Sequence, residues 1–194
     1  INKTHYSNNL AKEETMAKRY DKLSENLIEF IRHQKIFFVA TAADKGTINV
    51  SPKGYDSLRV IDSNHIVWLN ITGSGNETAA HLLQNDRMTI MFCAFDDNPK
   101  ILRLYGKAQA IHPRDKEWKK MASLFENFPS ARQYLSFTIE LAQTSCGFGV
   151  PFYNYKQSRD NMDKWLEAKG AGNMEEYWHE KNQISLDGLP TNIT

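Results

Sequence analysis

The fifteen residues from Trp68 to Leu82 (WLNITGSGNETAAHL) hold the most informative chemistry in this chain. A strand-like stretch ends near Asn70, a Gly73-Ser74-Gly75 turn follows, and a helix-forming run begins. Backbone N–H groups left free at such a helix start attract a phosphate, and glycines let it approach closely. Ser74 and Asn76 can add side-chain hydrogen bonds. The competing reading is a capping box, Ser74-x-x-Glu77, in which the glutamate serves the helix and its charge opposes a phosphate. A second cluster, Val50-Ser51-Pro52-Lys53-Gly54 with Arg59 close behind, offers the one or two cations that an anion needs. Its alternative is a solvated strand face. A third, Gln143 to Pro151 (QTSCGFGVP), sets small polar residues and two glycines after a strand, and is either a ligand-lining loop or an ordinary turn. Cys146 lies there without a His or Asp at an activating spacing. His33, His65, His81 and His112 show no metal-ligand spacing, so no metal is expected.

The elements that must position these groups follow from periodicity. Ser24 is placed to cap a first helix whose apolar stripe is Leu27, Phe30 and Ile31. The period then drops to two. Ile36 to Ala40 and Thr47 to Lys53 read as a hairpin about Asp44-Lys45-Gly46. Ser57–Ile61 and His65–Asn70 form a second pair, and Arg87–Phe95 and Lys100–Ile111 are further strands. Leu135, Phe137, Ile139 and Leu141 alternate with polar residues in a clean half-buried strand. Helices are expected from Ser74 to Asp86, from Asp115 to Phe128, from Asp160 to Lys169 with Gly170 as its stop, and from Met174 to Lys181. Seven short strands with turn-sized gaps make this a mainly β chain with flanking helices, an antiparallel barrel rather than a doubly wound sheet.

The bulk numbers agree with one domain and exclude several functions. There are 194 residues, 41% hydrophobic and 24% charged, and 24 Lys+Arg against 23 Asp+Glu leave a net charge of +1. That balance gives no electrostatic case for nucleic acid or an anionic membrane. No stretch of ~18 apolar residues appears. The polar start lacks the apolar core of a signal peptide, and two unpaired cysteines, Cys93 and Cys146, fit a reducing cytoplasm. The expected organisation is a polar arm over 1–22, a ligand-binding barrel over 23–157 and a helical tail over 158–194.

Three segments in order, NVSPKGYDSLRV, WLNITGSGNETAAHL and ILRLYGKAQAI, resemble the pyridoxamine 5′-phosphate oxidase-like family of FMN-binding split barrels. The tail, QTSCGFGVPFY and then EKNQISLDGLP, resembles a subgroup described only as FMN-binding or oxidase-related. The resemblance implies a homodimeric split β-barrel with FMN at the interface. It implies that Ser51, Lys53 and Arg59 lie along the flavin and its phosphate, and that Asn70, Ser74, Gly75 and Asn76 cradle the phosphate. Thr144, Ser145, Cys146 and Gly147, with Trp165, Lys181, Asn182 and Ser185, complete the site from the other subunit. Lys53, Arg59 or Arg103 supplies a cation near the flavin ring. True B6 oxidases carry Arg-Lys where Gly75-Asn76 stands here, and an arginine-rich ending where this chain has Ser185 to Pro190. The implied function is therefore an FMN-dependent oxidoreductase of small molecules other than the B6 vitamer. The alternatives are a non-catalytic flavin-binding or sensing module, and a barrel that has exchanged flavin for haem with Cys146 as axial ligand.

Overall fold

The computed structural model describes residues 17–126, 128–170 and 173–194. Residues 1–16 of the polar arm expected over 1–22 lie outside the described residues.

Alternation of apolar and polar side chains produces eight strands: β1 (Lys18–Tyr20), β2 (Phe37–Ala42), β3 (Ile48–Lys53), β4 (Leu58–Val60), β5 (His65–Ile71), β6 (Arg87–Cys93), β7 (Lys100–Ile111) and β8 (Ala131–Cys146). They form one antiparallel sheet in the order β3-β2-β6-β7-β8-β5-β4, with β1 added to β8. β8 is sixteen residues long, four residues earlier in its start and five later in its end than the alternation predicts. Its first residues, Ala131 to Tyr134, precede the alternating stretch, and Arg132 and Gln133 interrupt the apolar pattern there, yet both are buried. β1 falls in the stretch assigned to the polar arm, where Lys18 pairs with Thr144.

The main core gathers Leu23, Leu27, Ile28 and Ile31 from α1 (Glu25–His33) and its approach with Val39, Trp68, Ile90, Leu104 and Phe137 from the strands. Each large side chain moved out of water there contributes roughly 1.5–3 kcal/mol. Ser24 occupies the N-cap position of α1 through its carbonyl, and its hydroxyl makes no cap bond. β5 reads as an unbroken apolar run because both of its faces are covered. Ile66 and Trp68 enter the main core, whereas Val67 and Leu69 pack with Met121 and Tyr134 beneath α3 (Trp118–Ala122). That helix is shorter than the sequence predicts. Leu124 and Phe125 donate to the carbonyls three residues back, so the last turn tightens and ends. Trp118, Phe125 and Phe128 still pack on the same cluster.

α2 (Glu77–Leu82) follows the glycine turn, and α4 (Asn161–Lys169) and α5 (Met174–Lys181) form the tail. Gly170 ends α4 at φ 77°. The tail is tied to the barrel of its own chain. The Trp178 indole donates to Thr72 Oγ1 at 2.8 Å, and Thr47 donates its N–H and hydroxyl to Asp187 at 2.8 Å. Arg114 donates to the Asn192 carbonyl at 2.6 Å.

Candidate functional site

The Gly73–Asn76 turn is held from behind. Arg132 Nη1 donates to the Gly75 carbonyl at 2.8 Å and the Gly73 carbonyl at 3.5 Å. Asn182 Nδ2 donates to the carbonyls of Gly73 at 3.0 Å and Ser74 at 3.4 Å. The same Arg132 nitrogen donates to Asn182 Oδ1 at 2.8 Å, which locks the two side chains together. No peptide bond here is cis. In a trans peptide the C=O of one residue and the N–H of the next point in opposite directions. Three consecutive carbonyls turned toward Arg132 and Asn182 therefore turn the N–H groups of Ser74, Gly75 and Asn76 away from them. Among the described residues none of the three has an acceptor. A run of free N–H groups of this kind is an arrangement that favours an anion.

The capping box is not built. α2 starts at Glu77 with Asn76 as N-cap and no side-chain cap bond. Glu77 instead accepts from the Leu186 N–H at 3.4 Å, and its carboxylate lies against Gly75, where an added Cβ would sit 2.4 Å from it.

Charge accumulates at this turn. Arg132 is 3% exposed and makes no ion pair among the described residues. Burial lowers its pKa to about 10, with Glu77 the main opposing influence. Lys53 reaches inward from β3, its ammonium 5.0 Å from the centre of the Trp68 ring. Burial, then the Arg132 charge, lowers its pKa to about 8 against the pull of Glu77. Two cations thus share one carboxylate. Four of the seven buried side-chain N and O atoms without a partner among the described residues also belong here: both amide atoms of Asn76, Arg132 Nε and Gln133 Nε2. An unmet buried polar group costs about 1–3 kcal/mol, so their concentration marks a place built for a polar ligand. Asn70 is part of this network, donating to Gln133 Oε1 at 2.9 Å and accepting from Arg132 at 3.5 Å.

Lys53, Asn70, Ser74, Gly75, Asn76 and Asn182 are therefore brought together, and Ser51 shares the face of β3 that carries Lys53. Arg59 is not among them. Its guanidinium pairs with Asp56 at 2.7 Å, donates to the carbonyls of Asp56, Leu58 and Leu124, and stacks on Phe125. Thr144, Ser145, Cys146 and Gly147 lie at the far end of β8, where Arg103 donates to Ser145 Oγ at 3.1 Å. Gly147 is required there, since a Cβ would come within 2.7 Å of the Lys100 nitrogen. Trp165 packs edge-on against Tyr177. Lys181 points outward to Glu180, and Ser185 closes a turn by accepting from the Leu189 N–H. Sequence reasoning misses Arg132. Its only signal is an arginine in the lead-in to an apolar strand.

A cleft of about 1000 Å³ opens beside Lys53, walled by Pro52, Tyr55, Phe95, Tyr153 and Tyr155. A smaller one, about 560 Å³, lies around His112 and Lys107 and holds none of the predicted site residues.

An antiparallel split barrel carrying a turn of free backbone N–H groups beside a half-buried lysine defines the class of protein. The family profile described as Pyridoxamine 5′-phosphate oxidase matches residues 23–146, and the chain belongs to that family. It is 36% identical over 191 residues to the pyridoxamine 5′-phosphate oxidase family protein ustO of Aspergillus flavus, covering 88% of this chain and 76% of that one. Solved structures share the fold. A candidate pyridoxamine 5′-phosphate oxidase from Lactobacillus delbrueckii superposes with a TM-score of 0.51 at 23% identity, over 63% of this chain and 94% of that one. A single-substitution form of HupZ from Group A Streptococcus gives 0.51 at 20% identity, over 62% and 98%.

Proposed function

We propose that this protein binds FMN with the phosphate at the Gly73–Asn76 turn and acts as an FMN-dependent oxidoreductase of a small substrate. The observation that carries this reading is the turn itself: three N–H groups without acceptors, a buried amide without partners, and two cations facing one carboxylate. A phosphate satisfies all three and must displace Glu77 from beside Gly75. Lys53 thereby supplies a cation that Gly75-Asn76 lacks, while Arg132 adds its charge from behind the turn. The flavin, when bound, supplies reversible two-electron chemistry. The chain's contribution is to hold its phosphate and to offer, along the Lys53 wall, a cleft with aromatic sides from which water is displaced. A second phosphate, as on a B6 vitamer, finds no arginine in the Ser185–Pro190 segment. The acid of that segment, Asp187, is already engaged by Thr47.

A homodimer fits the same reading. Arg132 and Ser145 are thirteen residues apart on β8, on the order of 40 Å of extended strand. One mononucleotide cannot span both ends, so Thr144–Gly147 belong to the site only if a second copy brings them. Light scattering should return about twice the 22.3 kDa of one chain. A monomer that binds FMN tightly would remove Thr144–Gly147, and with them Arg103, from the site.

The reaction is tested anaerobically on the FMN-loaded protein. NADH or NADPH should bleach the flavin band, and pyridoxamine 5′-phosphate should leave it unchanged over the same time. Rapid bleaching by the vitamer makes this a B6 oxidase. No bleaching by any donor leaves a flavin storage or sensing module. Among the described residues no helix is long and apolar enough to cross a membrane, and Cys93 and Cys146 as free thiols suit a reducing compartment such as the cytoplasm.

A further inference from the structure

We propose that Arg132 and Asn182 are positioning residues: together they hold the phosphate turn in its anion-binding conformation, which makes the C-terminal helix α5 a working part of the flavin site of its own chain. The inference rests on the flavin reading above and goes beyond it by assigning the turn's shape to two side chains far away in sequence.

The turn has little of its own to fix it. Gly73 and Gly75 supply freedom rather than constraint, no cap bond forms at Asn76, and the Ser74 side chain is exposed. What fixes it is a pair of donors arriving from behind, Arg132 from β8 and Asn182 from the end of α5. Asn182 is fully buried and saturated: its amide reaches Gly73 and Ser74, its Oδ1 takes Arg132, and its carbonyl takes Thr191 Oγ1. Arg132 needs acceptors more than any other group here, because it is buried without a carboxylate in contact. The turn's carbonyls meet that need, and planarity of the peptide then aims the N–H groups the opposite way. The conformation that satisfies the cation is thus the one that binds the anion. Only the phosphate end of the flavin depends on it.

This predicts a signature that general support of the fold does not produce. Asn182→Leu keeps approximate size and burial and adds no charge near the phosphate, but deletes the donors to Gly73 and Ser74 and the Oδ1 partner of Arg132. Arg132→Lys keeps the charge, but its side chain is one bond shorter and its ammonium stops short of the position from which Nη1 serves both Gly75 and Asn182. Calorimetric titration with FMN and with riboflavin should first show the wild-type protein preferring FMN. In each variant that preference should fall about tenfold, the equivalent of one hydrogen bond to a charged group, while riboflavin affinity stays within about twofold. Asp187→Asn, which loosens the tail at the β2–β3 hairpin instead, should keep the wild-type preference. If wild-type protein binds both ligands equally, the phosphate reading fails before any variant is measured. If it prefers FMN and both variants keep that preference, or lose both ligands equally, the flavin reading stands and the positioning roles are overturned.

Discussion

Gly106→Ala should lower stability by roughly 3 kcal/mol, at the upper end of the range for overpacking a rigid interior. The reason is backbone against backbone. An added Cβ at Gly106 would lie 2.0 Å from the Thr138 carbonyl oxygen and 3.1 Å from the Glu140 nitrogen. The register of β7 against β8 slips there, between Tyr105 and Gly106, and the slip brings the two chains together. Neither side can yield cheaply, because β7 and β8 are paired from Lys100–Cys146 to Ile111–Tyr134. For a domain of this size the loss corresponds to a fall of roughly 6–12 °C in Tm. Gly149→Ala is the control, since its Cβ would meet nothing within 4 Å. Urea denaturation of the two variants checks the contrast. A Gly106→Ala protein as stable as wild type would mean that β8 can move away from β7.

FMN affinity should fall as pH rises through about 8, and riboflavin affinity should not. In the free protein Lys53 is lowered to about pKa 8 by burial and then by Arg132. A phosphate beside it favours the ammonium, so the pKa in the complex is higher and binding takes up a proton. Below pH 8 Lys53 is charged in both states and affinity is at its plateau. Above pH 8 the free protein must first be protonated, and affinity drops by up to tenfold per pH unit until the pKa of the complex is passed. The phosphate itself is already a dianion there, with a second pKa of ~6. Stability of the apoprotein runs the other way. The folded state lowers the Lys53 pKa below its ordinary 10.5, so the unfolded chain binds the proton more tightly. The penalty is therefore complete below pH 8 and is relieved as pH rises from 8 toward 10.5. Lys53→Met should flatten both curves and weaken FMN binding at pH 7. An FMN affinity independent of pH from 7 to 9.5 would place Lys53 away from the phosphate.

These two outcomes depend on different kinds of information. Seven of the eight strands, the hairpin about Gly46 and the Gly73–Gly75 turn were legible in the chain, because side-chain alternation and glycine placement are local properties that the backbone must obey wherever it folds. Lys53 was legible only as one of two candidate cations. Arg59 was equally plausible in sequence. What holds it away from the turn in this chain is Asp56, three residues back in a left-handed conformation at φ 52°, with its carboxylate against the guanidinium. A local pair decided it, but only a backbone angle that sequence pattern does not encode brought the pair together. The capping box failed for a related reason. Glu77 found the Leu186 N–H, 109 residues away, instead of its own helix start.

Arg132 and Asn182 were decided by tertiary structure alone. They reach the Gly75 and Gly73 carbonyls across 57 and 109 residues. No periodicity links such positions, and an arginine at the head of a strand looks like a surface residue until the tertiary structure buries it. The sequence by itself determined a split-barrel pattern with a glycine turn suited to an anion. The assembled sheet and the docked tail decided which side chains stand behind that turn, because burial turns a distant arginine into a cation that must find acceptors, and the turn's carbonyls are within its reach.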